Sequence, residues 1–161
     1  MSVIKKFRIT KFKNSKPIIS LKKISLSFKK NHLILDNISL DISKGQIIGL
    51  LGPNGAGKSS LMNLITGAIK PNYGEIIINN EKINQYPIYT RTKKFKISLV
   101  PQIGGFFSDL TAEDNLKAIA EILLPDPKKR KLKIEELITK FELDAVRKVE
   151  AKFLSGGMKR R

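Results

Sequence analysis

The strongest chemical signal in the sequence is the nine-residue stretch "GPNGAGKSS" at 52–60. Gly52, Gly57, Lys58 and Ser59 fit the spacing G-x-x-x-x-G-K-[ST]. Glycines there admit backbone angles closed to other residues and turn successive N–H groups inward around an anion. A helix starting at the lysine adds the positive end of its dipole. The chemistry this predicts is phosphate capture from a nucleotide. Lys58 reaches the β- and γ-phosphates, Ser59 ligates Mg2+, and Pro53, Asn54, Gly55, Ala56 and Ser60 complete the cradle. The plain alternative is a glycine-rich turn with a surface lysine. A second glycine-bearing stretch, "LSGGM" at 154–158, makes Ser155 the expected cap of a helix whose first turn holds Gly156 and Gly157, again hydroxyl and N–H donors facing an anion. Alone, such a stretch is an ordinary loop. So is "VPQ" at 100–102, where Gln102 by itself is a loop residue satisfying a backbone group.

These groups need elements to position them. "ISLSF" at 24–28 and "ISLDI" at 38–42 alternate apolar and polar residues with period two, the mark of half-buried strands. "QIIGLLG" at 46–52 is apolar at nearly every position and predicts a strand covered on both faces, as in a parallel sheet. The period then changes. Leu61, Leu64, Ile65 and Ala68 lie at helical spacing, so residues 58–69 are expected to form an amphipathic helix directly after that strand, the context the phosphate motif requires. "PNYG" turns the chain, and "EIII" and "KISLV" supply further strands. Thr111 with Asp114 caps a helix over "AEDNLKAIAEIL", and "KIEELITKF" forms another. Phe28 continues the Ile24 and Leu26 alternation, so core packing and an exposed role stand level for it.

Composition bounds the rest. The sequence has 161 residues, no cysteine and one histidine, which leaves no thiolate or histidine metal cluster and fits a reducing cytosolic setting. Its longest apolar run, "IIGLL", is too short to cross a bilayer. The net charge of +17 is uneven: residues 1–30 carry ten Lys/Arg and no acid, while 31–124 carry nine against eight. Because 25 of the 31 basic residues are Lys, and base-reading surfaces favour Arg, no specific nucleic acid partner is expected. Residues 1–17 are expected to be a basic flexible tail ending at a proline.

Taken in order, the phosphate loop, "VPQ" and "LSGGM" resemble the ATP-binding cassette (ABC) ATPases, over residues 20–161. The resemblance implies an α/β P-loop NTPase fold, with an N-terminal antiparallel β subdomain and a helical subdomain at about 104–161 inside a nucleotide-binding domain at 18–161. It implies ATP and Mg2+ as ligands and ATP hydrolysis as the activity. Gln102 would touch Mg2+ and the attacking water, and Phe28 would stack on adenine. Ser155, Gly156 and Gly157 would hold the γ-phosphate bound by a second copy, in a head-to-tail homodimer. Met158 departs from the family, which has Gln or Glu there. The segment "YPIYTRTKKFKISLVPQIGGFFSDLTAEDNL" at 86–116 looks most like the lipopolysaccharide-export ATPases of Gram-negative envelopes. That likeness implies transmembrane partner subunits docking through the Gln102 to Phe107 region, with Phe107 in the partner groove. The implied place is the cytoplasmic face of the inner membrane.

The family's apolar run ending in Asp-Glu does not occur in the sequence, and His32 precedes the phosphate loop, so it cannot be the family's later histidine. The expectation is therefore a chain broken after the signature stretch, with the C-terminal part of the core missing and hydrolysis absent in these 161 residues. Branched-chain amino acid importer ATPases and non-transport ABC modules are the alternatives. Gln102 and Ser155 lie 53 positions apart, which suits a transporter-like helical subdomain.

Overall fold

The computed structural model describes residues 16–29, 32–102 and 104–160, so the expected basic tail falls, up to residue 15, outside the described residues. Pro17 opens the first strand instead of closing a tail. The chain divides into two compact units, residues 1–99 and 100–161.

In the first unit, β1 (Pro17–Lys29) and β2 (His32–Ser43) form a long antiparallel pair. With β3 (Tyr73–Ile78) and β4 (Glu81–Lys82) they make a sheet in the order β2-β1-β3-β4. The period-two residues Leu21, Ile24, Leu26, Leu35, Ile38 and Leu40 bury one face. Lys23 and Asn37 sit at φ 50°, and the β1–β2 register shifts between Leu21 and Ile24, so the ladder carries a bulge there. Gly74 crosses that bulge: an added Cβ would run into the carbonyls of Lys22 and Lys23. Asn79 and Asn80, both at positive φ, make the tight turn between β3 and β4 that suits the twist of a hairpin.

Onto this sheet packs α1 (Lys58–Thr66), burying Leu61 and Leu64 and ending at Gly67, whose φ of 87° closes the helix through an N–H to the Asn63 carbonyl. The helix is three residues shorter than its periodicity suggested, because Gly67 takes the left-handed position. A further helix, α2 (Ile88–Phe95), lies where the sequence offered no clear period, and contributes its buried Arg91.

Two expected strands are corrected. Residues 46–51 and 96–100 enter no ladder among the described residues. Ile48, Leu50 and Ile97 rest against the sheet-and-helix core, whereas Ile47 is 97% exposed and Leu51 88%. The physical reason is that burial on both faces comes from layers packed above and below a strand, and among the described residues nothing covers the side that carries Ile47 and Leu51. Only its inward face is therefore covered. A cavity of about 490 Å³ opens there, bordered by Ile42, Ile48, Leu50, Ile65, Phe95 and Ile97.

The second unit is helical. Here α3 (Ala112–Leu123) packs on α4 (Pro127–Lys140) around Ala120, Ile134, Ile138 and Leu143. Thr111 caps α3 as expected, its hydroxyl oxygen accepting from the Asp114 N–H, and Asp126 caps α4 ahead of Pro127. Glu113 is buried yet paired, with Arg147 at 3.0 Å, Lys148 at 2.8 Å and Lys117 at 3.0 Å. The Arg147 hydrogen bond, followed by those from Lys148 and Lys117, holds the carboxyl far below the usual carboxylate range. Among the described residues no helix is long and apolar enough to cross a membrane.

Candidate functional site

The phosphate motif is placed by its flanks. Residues 46–51 run along the core edge, the chain turns at 52–57, and α1 begins at Lys58. Gly57 is the helix N-cap with φ 88° and ψ 7°, and no side chain caps the first turn. A Ser or Asp there would satisfy the first-turn N–H groups itself. With glycine they stay open to an outside acceptor at the positive end of the helix dipole. Gly55 also takes the left-handed conformation at φ 81°. Gly57 is needed for a second reason: a Cβ there would come 2.8 Å from Leu35 Cδ2 and 3.2 Å from the Ile34 carbonyl of β2. The loop is thus seated on the strand, with Ala56 and Gly57 buried and Gly52, Pro53, Asn54 and Gly55 at the surface.

Lys58 folds over this loop, its Nζ donating to the Gly52 carbonyl at 2.6 Å and the Pro53 carbonyl at 2.8 Å. The ammonium therefore hangs above the loop it belongs to, with a third donor for an anion. Ser59 is exposed on the first turn of α1, with Ser60 half-buried beside it. Open N–H groups, a lysine and a hydroxyl suit a phosphate with a hard cation at its side.

Phe28 is 62% exposed, which removes the core-packing alternative for its ring. With Leu33, Asn72 and Tyr73 it borders a hollow of about 510 Å³ at that end of the sheet. The sequence offered no reason to single out Tyr73, although "PNYG" set an aromatic beside a glycine.

The second unit holds the other expected groups. Gln102 is exposed on a bend and does not follow a strand. The Ser155 hydroxyl oxygen accepts from the Met158 N–H at 3.3 Å, and the element it starts is a short 3-10 turn, Met158–Arg160. The expected helix is corrected accordingly: Gly156 and Gly157 lie ahead of that turn, exposed. Phe107 is 57% exposed, as a docking residue must be. Asn115, unnoticed in the sequence, clamps it in place. Its Oδ1 accepts from the Phe107 N–H at 2.7 Å, and its Nδ2 faces the carbonyls of Phe107, Leu110 and Thr111 at 2.9, 3.2 and 3.0 Å. The same loop is tied to residues just before Ser155, by the Lys152 N–H to the Ser108 carbonyl and the Ala151 N–H to the Leu110 carbonyl, both 2.9 Å.

Comparison with known proteins gives one family. The family model described as ABC transporter matches residues 35–161. A probable ABC transporter ATP-binding protein of Azorhizobium caulinodans is 38% identical over 128 residues, 80% of this chain and 45% of that protein. The lipopolysaccharide export system ATP-binding protein LptB of Haemophilus influenzae is 34% identical over 145 residues, 89% of this chain and 59% of that one. The chain thus spans about half the length of the curated relatives it matches. Among solved structures, a dimeric ATP-binding cassette in a post-hydrolysis state bound to ADP and Pi superposes with a TM-score of 0.72 at 26% identity, covering 88% of this chain and 65% of that one. The cbiO1 protein of Clostridium perfringens shares the fold, with a TM-score of 0.78 at 20% identity, over 91% of this chain and 59% of its own.

Proposed function

This chain belongs to the ABC transporter family, and on that premise we propose that it is the ATP-binding part of a transporter ATPase that couples ATP binding and hydrolysis to lipopolysaccharide export from an inner membrane. The observation that carries the nucleotide reading is the glycine N-cap of α1, which leaves its first-turn donors open beneath Lys58. The ATP phosphates lie in the loop of residues 52–60, with Lys58 exchanging its two carbonyl partners for phosphate oxygens. Ser59 would hold Mg2+, with Gln102 the further ligand that the family resemblance implies, and the bound ion would supply charge neutralisation at the phosphoryl group. Adenine stacks on the exposed Phe28 ring. Ser155, Gly156 and Gly157 present a hydroxyl and bare N–H groups to the γ-phosphate held by a second copy, so that two chains associate head to tail. Transmembrane partner subunits dock through the Gln102 to Phe107 region and keep the ATPase at the membrane face.

Phe28 supplies the test of the nucleotide reading. In the full-length protein, Phe28→Ala should weaken ATP binding by about 1–2 kcal/mol, roughly five- to thirtyfold in Kd, with little change in melting temperature because the ring is exposed. Calorimetric titration beside thermal melting separates the outcomes. Unchanged affinity with a large loss of stability would return Phe28 to the core.

The export reading rests on the likeness to LptB proteins, which extends to relatives of Escherichia coli and Acidithiobacillus ferridurans at 33% and 31% identity. It is tested at Phe107. Phe107→Ala should leave ATP turnover of the isolated full-length ATPase unchanged, but abolish co-purification with the two transmembrane subunits of a lipopolysaccharide-export transporter. Intact co-purification would remove Phe107 from the docking surface. A different ABC transporter is the second reading, favoured by the Azorhizobium relative, whose identity is higher and whose name specifies no substrate.

A further inference from the structure

Arg91 lies on α2 and is fully buried, at 0% exposure. A buried guanidinium is expected to face a carboxylate. This one does not. Its Nη1 donates to the carbonyls of Leu64 at 2.5 Å and Ile65 at 2.9 Å, its Nη2 to those of Ile83 at 2.9 Å and Asn84 at 3.5 Å, and its Nε to that of Tyr86 at 2.8 Å. Desolvation lowers its pKa, no acid among the described residues is paired with it, and an arginine stays charged regardless. Among the described residues the cation is therefore held by backbone dipoles.

Two of those dipoles matter most. Leu64 and Ile65 are in the last turn of α1, which ends at Thr66 with no basic residue of its own there. Their carbonyls belong to the negative end of the helix, where a cation is favoured. Gly67 lets the guanidinium approach: a Cβ at that position would lie 2.8 Å from Arg91 Nε. The other three carbonyls are on the 83–86 turn that follows β4. One planar group thus fastens the tail of α1 to that turn. The head of the same helix, about 12 Å away at 1.5 Å per residue, carries Gly57 and Lys58.

We infer that Arg91 is a positioning residue for the phosphate site, holding α1 by its C-terminal carbonyls so that its open N-terminus meets a polyphosphate at a fixed place and angle. The inference rests on the reading of residues 52–60 as a phosphate cradle. Arg91 touches neither nucleotide nor metal. Its influence passes along one helix, as a fixed axis and as a positive charge at the helix's negative end. Both effects act on anions at the cradle and not on an uncharged base stacked elsewhere.

That difference gives the experiment. Calorimetry on the full-length protein compares wild type, Arg91→Lys, Arg91→Met and Gly67→Ala, with Mg-pyrophosphate, MgADP and adenosine as probes. Arg91→Met should weaken pyrophosphate and ADP binding by up to about tenfold, the size of the attraction between unit charges about 12 Å apart at an effective dielectric of about 20. Arg91→Lys, which keeps the charge and reaches fewer carbonyls, should recover part of that loss. Gly67→Ala should reproduce the loss by displacing the guanidinium. Adenosine affinity should not move. If the variants melt earlier but bind pyrophosphate as wild type does, Arg91 serves the fold alone and the inference is overturned. It is equally overturned if all three fail to fold. Absence of pyrophosphate and ADP binding in the wild type would instead remove the phosphate-cradle reading itself, and the inference with it.

Discussion

Purified as these 161 residues and given MgATP, the chain should release phosphate no faster than its Lys58→Ala variant. Phosphoryl transfer is mostly positioning and charge stabilisation, and it requires carboxylate help for the metal and the attacking water as well as a phosphate cradle. The residues proposed as the cradle are present. The carboxylates are not, for no apolar run in this sequence ends in Asp-Glu. The acids that come nearest the pattern are otherwise placed. Asp36 is exposed on β2, ahead of the loop, and Asp126 accepts the Lys128 and Lys129 N–H groups as the cap of α4. Losing a catalytic carboxylate removes several kcal/mol of transition-state stabilisation, and each ~1.4 kcal/mol is tenfold in rate, so a loss on the order of a thousandfold leaves nothing above background. A malachite-green time course with the Lys58→Ala chain as control decides it. Steady release that disappears in the control would mean that these residues contain a complete catalytic set.

The second large effect is expected at Gly57. In the full-length protein, Gly57→Ala should cost about 2–5 kcal/mol of stability and abolish measurable MgATP binding. About 1–2 kcal/mol comes from forcing an L side chain into the left-handed conformation, and about 1–3 kcal/mol from pressing a methyl into a packed core. The clash is specific: Leu35, which the methyl would meet at 2.8 Å, is fully buried, and the Ile34 carbonyl is backbone. Neither can yield without moving the head of α1. Gly55→Ala is the matching control, with φ 81° but no atom within 4 Å of the added Cβ. It should pay only the conformational cost and retain weakened binding. Equal effects of the two substitutions on melting temperature and affinity would disprove the contact with β2 as the cause.

What the sequence disclosed was local in origin. The glycine spacing, the helical run from Leu61 to Ile65, the alternation in β1 and β2 and the Thr111 cap each depend on residues a few positions apart, and each appears in the structure. What it did not disclose depends on remote neighbours. The run at 46–51 is apolar at nearly every position, but how many of its faces are covered is decided by the elements packed above and below it. Arg91 sits in "TRTKKFK", where any basic residue looks like a solvated one, and only the approach of α1 and the 83–86 turn makes it a buried clamp. Asn79 and Asn80 are a local feature unnoticed in the sequence: two adjacent residues tolerant of positive φ after a strand are a hairpin-turn signal. For Phe28, pattern alone left two readings level, and its exposed ring removes the core-packing one.

The loop that presents Phe107 has no slack. Its backbone is gripped by Asn115 from the side of α3, and by the N–H groups of Ala151 and Lys152 from the stretch leading to Ser155. Pushing Phe107 inward must either break several hydrogen bonds together or carry residues 150–153 along with it. The second course keeps the bonds from Ala151 and Lys152, and keeps those of Asn115 only if α3 follows, so the stiffer path runs from an exposed aromatic toward the serine three to four residues beyond them. A soft loop would absorb a load applied at Phe107 as local bending; this one passes it on as displacement.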